Sequence, residues 1–318
     1  MRRSSAALLA LALAAAAWGG TAAGQDYPVK TVRIVTAPAG GGNDFSARLI
    51  ARGISGPLGQ QVIIDNRPTV LAPEIVAKAA ADGYTVLVNG SSHWIGPLVE
   101  KVNYDPVRDF APVSLLDRTP VLLVVHPSLP IKSVKQLIAL ARAKPGQLNF
   151  STGAPGTSNY LGGVLFNHYA GVDIVRIPYK GAAPAMTAVM SGETQIMFAS
   201  PGGAMPHVKS GRLRALAVGS DRPSELAPGL PTIAESGVRG YVCETLHAVF
   251  APAGTPPAAV TRLHQEIDRF IKSPDGKSQF LKGGVEAASS TPDELMATMK
   301  AEVATIGKVL KAAGVAPQ

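Results

Sequence analysis

Cysteine is almost missing from this 318-residue chain: Cys243 is the single one. No intramolecular disulfide can form, so the fold must be held by packing. Charged residues are also sparse, at 16%, against 46% hydrophobic residues. That balance excludes a disordered chain and leaves enough apolar surface for a large core. Aromatic residues are only 5%, and none are interleaved with basic runs, so a nucleic-acid surface is not expected. The six histidines (93, 126, 168, 207, 247 and 264) show no HExxH or other ligand spacing. Neither a metal nor any other cofactor is expected. Catalytic signatures are missing too. Gly40, Gly41 and Gly42 do not form G-x-G-x-x-G, and "GKS" at 276–278 has Ile271 where a phosphate loop needs glycine. No G-x-S-x-G elbow occurs. Ser92 and His93 are adjacent, and adjacent side chains seldom meet as nucleophile and base. The chain therefore does not read as an enzyme.

What is present starts with a leader. Arg2 and Arg3 precede an apolar run, Leu8 to Trp18, that is too short to span a bilayer, and small residues from Thr21 to Gly24 follow. This predicts an export signal over residues 1–24, cleaved near residue 23 or 24, and a periplasmic protein. The formal net charge is +8. Residues 1–24 hold two arginines and no acid, so the mature chain would carry 8 − 2 = +6. The basic residues are scattered, as on a solvated surface. Cys243 lies in the apolar run "YVCETLHAVF" and is expected to be a buried packing thiol.

The rest alternates strand and helix patterns. "TVRIVTA" (31–37), "QVIID" (61–65) and "YTVLVNG" (84–90) read as buried strands. Asn43 or Asp44 is expected to cap a helix running through Ile54 and stopping before Pro57. The pattern restarts after "VLLVVHP". Ser133 caps a helix through Ala143, "QLNFS", "VDIVRIPY", "TQIMFA" and "LRALAVG" read as strands, and Asn159 to Tyr169 and Gly181 to Met190 read as helices. In the tail, Val260, Leu263, Ile267 and Phe270, then Met296, Met299, Val303, Ile306 and Leu310, form helical stripes. These are core faces, not a cofactor box. Two runs of alternation predict two α/β lobes, each a mainly parallel sheet flanked by helices. The last helices fold back on the first lobe. Lobe 1 is expected over residues 27–122 plus 246–318, and lobe 2 over 123–245. The hinge strands are expected near 121–126 and 243–250.

Small residues gather after the strands: "PAGGGND", "NGSSHW", "TGAPGTSNY" and "SPGGAM". In such sheets ligands bind at the carboxyl ends of strands. Three glycines without a nearby lysine or arginine suit an anion held by backbone N–H groups at a helix start.

The stretches "GGGNDFSARLIA", "NYDPVRDFAPVSLL", "IPYKGAAPAMTAVMSGE" and "LPTIAESGVRGY" carry a resemblance. The chain resembles the substrate-binding receptors of tripartite tricarboxylate transporters, the Bug receptors. That resemblance implies a periplasmic-binding-protein fold, type II-like, closing as a flytrap on a small organic carboxylate: a di- or tricarboxylate, an amino acid or an aromatic acid. It implies integral membrane transporter subunits as partners and a monomeric receptor. Carried over by position, the ligand loops are Ala39, Gly40, Gly41, Gly42, Asn43 and Asp44, then Ser151, Thr152, Gly153, Ala154, Pro155, Gly156, Thr157 and Ser158. Ser91, Ser92 and Ser200 are expected at the same cleft. Trp94 stands where a smaller residue is common in the family; it is placed with the cleft residues, making the cleft partly aromatic, with packing under its own helix as the alternative. Two other readings stay open: a sensory receptor for a membrane kinase and, less favoured, a periplasmic hydrolase.

Overall fold

Four of the five residues of β1 (Val32–Thr36) are β-branched, and the strand is buried along most of its length. It is the type of run that fits between neighbours in a covered sheet. A computed structural model describes residues 27–315. The expected leader, 1–24, lies outside the described residues.

After β1 come α1 (Gly42–Leu58), β2 (Val62–Asn66), α2 (Leu71–Ala77) and β3 (Thr85–Gly90). The short α3 (Ser92–Ile95) and a 3-10 turn (Gly96–Leu98) lead to the long β4 (Phe110–Pro120). Then follow β5 (Leu122–Val125), α4 (Val134–Ala143), β6 (Asn149–Thr152), α5 (Ser158–Ala170), β7 (Val175–Pro178) and α6 (Ala182–Ser191). The next elements are β8 (Ile196–Ala199), α7 (Pro201–Lys209), β9 (Arg214–Val218) and β10 (Glu244–Pro252). The tail is α8 (Pro257–Lys272), α9 (Pro274–Lys282), β11 (Glu286–Ala287) and α10 (Pro292–Ala312).

The strands form two sheets, in the orders β11-β4-β10-β3-β1-β2 and β7-β6-β8-β5-β9. Both are mixed, where the sequence pattern predicted mainly parallel ones. The parallel pairs are β1 with β2 and β3, and β6 with β7 and β8. β10 runs antiparallel to both β3 and β4, and β5 antiparallel to both β8 and β9. The reason is connectivity. β4 leaves the first sheet and β10 returns to it beside β4, so the two must point in opposite directions.

At the crossing the backbone is tightly tied. The Val121 N–H donates to Cys243 O at 3.1 Å, the Cys243 N–H to Gly219 O at 2.8 Å, and the Gly219 N–H to Val121 O at 2.7 Å. A Cβ on Gly219 would lie 2.5 Å from a Val121 methyl and 2.8 Å from Cys243 O. Glycine is required there for close approach. Cys243 itself is buried, and that burial pushes its thiol pKa up.

Helix α1 departs from its sequence expectation at both ends. Gly41 is its N-cap, in extended conformation and without a side-chain cap. Asp44 is instead occupied by the Gly40 N–H, Asn66 and Arg48. The helix runs through Pro57 to Leu58, because a proline in the last turn removes only one hydrogen bond, and Gly59 closes it at φ 68. Ser133 caps α4 as its sequence predicts, accepting from the Gln136 N–H at 3.3 Å. Thr291 and Glu294 form a capping box at the start of α10. The tail helices bury Leu263, Ile267, Met299, Ile306 and Leu310. α8 packs on α1 and β4; α10 packs on β4 and α3 and also reaches α5, which flanks the second sheet.

Candidate functional site: a cavity between two helix starts

Helices α1 and α5 belong to different sheets, yet both begin at one cavity of about 620 Å³. Gly42 and Asn43 line it from α1, Thr157 and Ser158 from α5, and Gly90, Ser91 and Ser92 from the end of β3. Its remaining wall includes Glu244, Thr245 and His247 of β10. The first-turn amides of a helix have no intrahelical acceptor, so each start presents donors and the positive end of a dipole. A second cavity, about 880 Å³, shares Thr157 and Ser158 and extends over the starts of α6 and α7.

The structure divides the residues singled out by sequence. Gly42, Asn43, Ser91, Ser92, Pro155, Gly156, Thr157 and Ser158 line the first cavity. Gly153, Ala154 and Ser200 line the second. The others line neither. Ala39, Gly40 and Gly41 are exposed. Gly40, at φ +89, turns the chain and gives its N–H to Asp44. Asp44 is buried; burial would raise its carboxyl pKa, but hydrogen bonds from Arg48, Gly40 and Asn66 lower it overall. Ser151 and Thr152 are fully buried in β6.

Trp94 is the clearest correction. It is fully buried, and its indole N–H donates to Glu302 Oε2 at 2.6 Å. It packs beside His93 and Phe250 instead of making the cleft aromatic. His93 lies in the same apolar nest, stacked on Tyr104, with neither ring nitrogen partnered. Its burial pushes the imidazole pKa down to about 3, so the ring is neutral.

Sequence reading passed over His247. It stands in the apolar run of β10, opposite Asp117 on β4. Nδ1 lies 2.6 Å from Asp117 Oδ1, and Ser46 Oγ donates to Asp117 Oδ2 at 2.5 Å. Burial opposes a charge on His247, but the Asp117 carboxylate and its hydrogen bond raise the imidazole pKa overall. A Cβ on Gly42 would lie 3.1 Å from both Cε1 and Nε2 of that ring. The ring edge away from Asp117 therefore lies against the start of α1. The available signal was an ionisable residue in each of two apolar strand runs, Asp117 in "SLLD" and His247 in "TLHAVF"; buried charges need partners.

No lysine or arginine lines the first cavity; its ionisable residues are His247, Glu100 and Glu244. Glu100 is exposed. Glu244 Oε1 is buried without a hydrogen-bond partner. Burial pushes the Glu244 carboxyl up to about 7, with Arg118 opposing and Asp221 and Glu286 reinforcing. The arrangement can hold a small polar molecule between two sets of backbone donors. Among the described residues no hydroxyl bonds to the His247 ring, and Ser91 Oγ is engaged with the Leu246 backbone. No described cluster of His, Cys, Asp and Glu fits a metal ion. No described helix is long and apolar enough to cross a membrane.

Known proteins share this architecture. A family model, "Tripartite tricarboxylate transporter family receptor", matches residues 46–315. Protein BugT of Bordetella pertussis is 32% identical over 315 residues, which is 97% of each chain. An R. palustris protein solved with adipate is 36% identical, covering 92% of this chain and 100% of its own, with a TM-score of 0.75. MatC from Rhodopseudomonas palustris, solved with bound malate, is 28% identical, covering 89% and 100%, with a TM-score of 0.68.

Proposed function

Because the chain belongs to the tripartite tricarboxylate transporter receptor family, we propose that it is an exported solute-binding protein. It captures a small organic carboxylate between its two sheets and delivers it to the integral membrane subunits of a transporter. The observation that carries this reading is the pair of helix starts, one from each half, opening on a cavity with no lysine or arginine in its lining. Each hydrogen bond from a backbone amide to a charged oxygen contributes about 1.5–3 kcal/mol. A helix start adds about 0.3–1 kcal/mol. Three or four such bonds reach roughly 8 kcal/mol, which is micromolar binding. That strength suits a carrier that must also release its cargo.

The relatives solved with adipate and malate support a carboxylate as the ligand class. The family supports the periplasm as the compartment, and the leader-like residues 1–24 agree with export. The membrane partner rests on the family alone. No turnover is expected, because no described hydroxyl bonds to the His247 ring and the Ser46 hydroxyl donates to Asp117 instead.

Native mass spectrometry of the purified protein, followed by calorimetry with a panel of small mono- and dicarboxylates and amino acids, tests the reading. A retained small acid, or one-to-one binding near micromolar, is the expected result. A protein that retains none and binds none of the panel at millimolar concentration overturns it. Simple esters and amides of the same acids, incubated with protein and followed by chromatography, detect the hydrolase alternative as release of free acid.

A further inference from the structure

We propose that Glu244 makes this cleft selective for a carboxylate whose other end carries an ammonium group, in preference to a dicarboxylate. The inference rests on the carboxylate reading above and names the class of its ligand.

The cavity has two chemically different regions. One is the start of α1, where Gly42 and Asn43 present backbone donors and His247 lies beneath with its ring tied to Asp117. A carboxylate fits there. The other is Glu244, three residues earlier on the same strand, its Cα about 10 Å from that of His247 along an extended chain. Its Oε1 is removed from water and accepts from nothing in the protein. A buried acceptor without a donor is costly and calls for a partner.

The protein does not supply that partner. Arg118, the cation whose field reaches Glu244, is already shared by Asp221 at 3.4 Å and Glu286 at 3.3 Å. Glu100 adds a second carboxylate to the wall of this cavity. Above about pH 7, where Glu244 carries its charge, a ligand ending in a second carboxylate would bring like charge into a region that has no lysine or arginine. A ligand ending in an ammonium would give Glu244 a charge-assisted hydrogen bond. The competing arrangement is a dicarboxylate turned into the adjoining cavity, where Lys180 stands, although that lysine is exposed to water.

The test is calorimetry at about pH 8.5, where Glu244 is ionised, on the intact protein with two matched series: 4-aminobutanoate, 5-aminopentanoate and 6-aminohexanoate, against succinate, glutarate and adipate. The best amino acid should bind at least about tenfold tighter than the diacid of equal length. Glu244→Gln should erase that preference, weakening the amino acids and strengthening the diacids. The wild-type ranking needs no variant, so a poorly folded Glu244→Gln leaves the test intact. Diacids binding as tightly as the amino acids, or tighter, overturn the inference while leaving the carboxylate reading standing. Binding by neither series overturns this inference, whereas the carboxylate reading is judged by its wider panel.

Discussion

Asp117 and His247 face each other across β4 and β10, with 2.6 Å between Oδ1 and Nδ1, where the ladder register slips between His247 and Ala248. The pair lies one residue from Arg118, which meets Glu286 of β11 in the same sheet, so two oppositely charged pairings are buried side by side along β4. The slip also puts an imidazole under the glycine loop, so a charge that no residue of the loop carries reaches the cavity wall from the opposite side.

Removing the carboxylate by Asp117→Asn leaves His247 buried and unpaired, which costs about 3–5 kcal/mol if the ring stays charged. The ring will instead lose its proton. The folded pKa of His247 lies above its ordinary 6.5. Its contribution to stability is therefore full below 6.5 and lost as pH rises through the folded value. Urea melts from pH 6 to 9 should show the gap between wild type and variant widest at pH 6 and narrowing upward. A gap independent of pH would mean the pair is neutral.

The three glycines of the loop should differ when substituted. Gly42→Ala places a Cβ 3.1 Å from His247, and ligand affinity should fall about tenfold with little loss of stability. Gly41→Ala, whose new Cβ meets nothing nearer than Pro38 O at 3.8 Å, should be close to silent. Gly40→Ala forces φ +89 on an alanine and should lower stability by about 1–2 kcal/mol. Calorimetry and thermal melts on the three variants separate these outcomes; equal loss of affinity in all three would remove Gly42 from its special place.

Trp94 should report a proton on Glu302, not ligand binding. Burial raises the Glu302 carboxyl from 4.5 to about 7, against the Trp94 hydrogen bond that lowers it. A raised carboxyl pKa stabilises the fold fully below 4.5 and loses that contribution as pH rises through about 7. Tryptophan fluorescence should titrate near pH 7 in wild type and stay flat in Glu302→Gln. The variant should gain stability relative to wild type between pH 5 and 8.

Strand and helix positions were legible because their signals are local: β-branched runs for the sheets, 3.6-residue stripes for α8 and α10, Ser133 at a cap. The glycine loop and "GTS" were legible as helix starts next to strand ends. Trp94 was not. It lies two positions after Ser92 on a helical turn, and two helical positions point about 200° apart. Adjacency to a cavity residue therefore sent it into the core. Asp117 and His247 are 130 residues apart, and only the ladder between β4 and β10 brings them together. Gly41 and Gly42 are identical by type; the ring beneath one of them distinguishes their roles.

The close knot of Val121, Gly219 and Cys243 has a mechanical consequence. The two strands that pass between the sheets are hydrogen-bonded to each other there, so they behave as one strap instead of two strings. A strap folds easily across its flat face and resists shear in its own plane. Any rotation of one half against the other would thereby be confined to nearly a single axis, with Glu244 beside it and the start of α1 farther out along β10. The long α10 touches both halves. Such a jaw would close with the same alignment each time, bringing the starts of α1 and α5 onto one molecule from opposite directions.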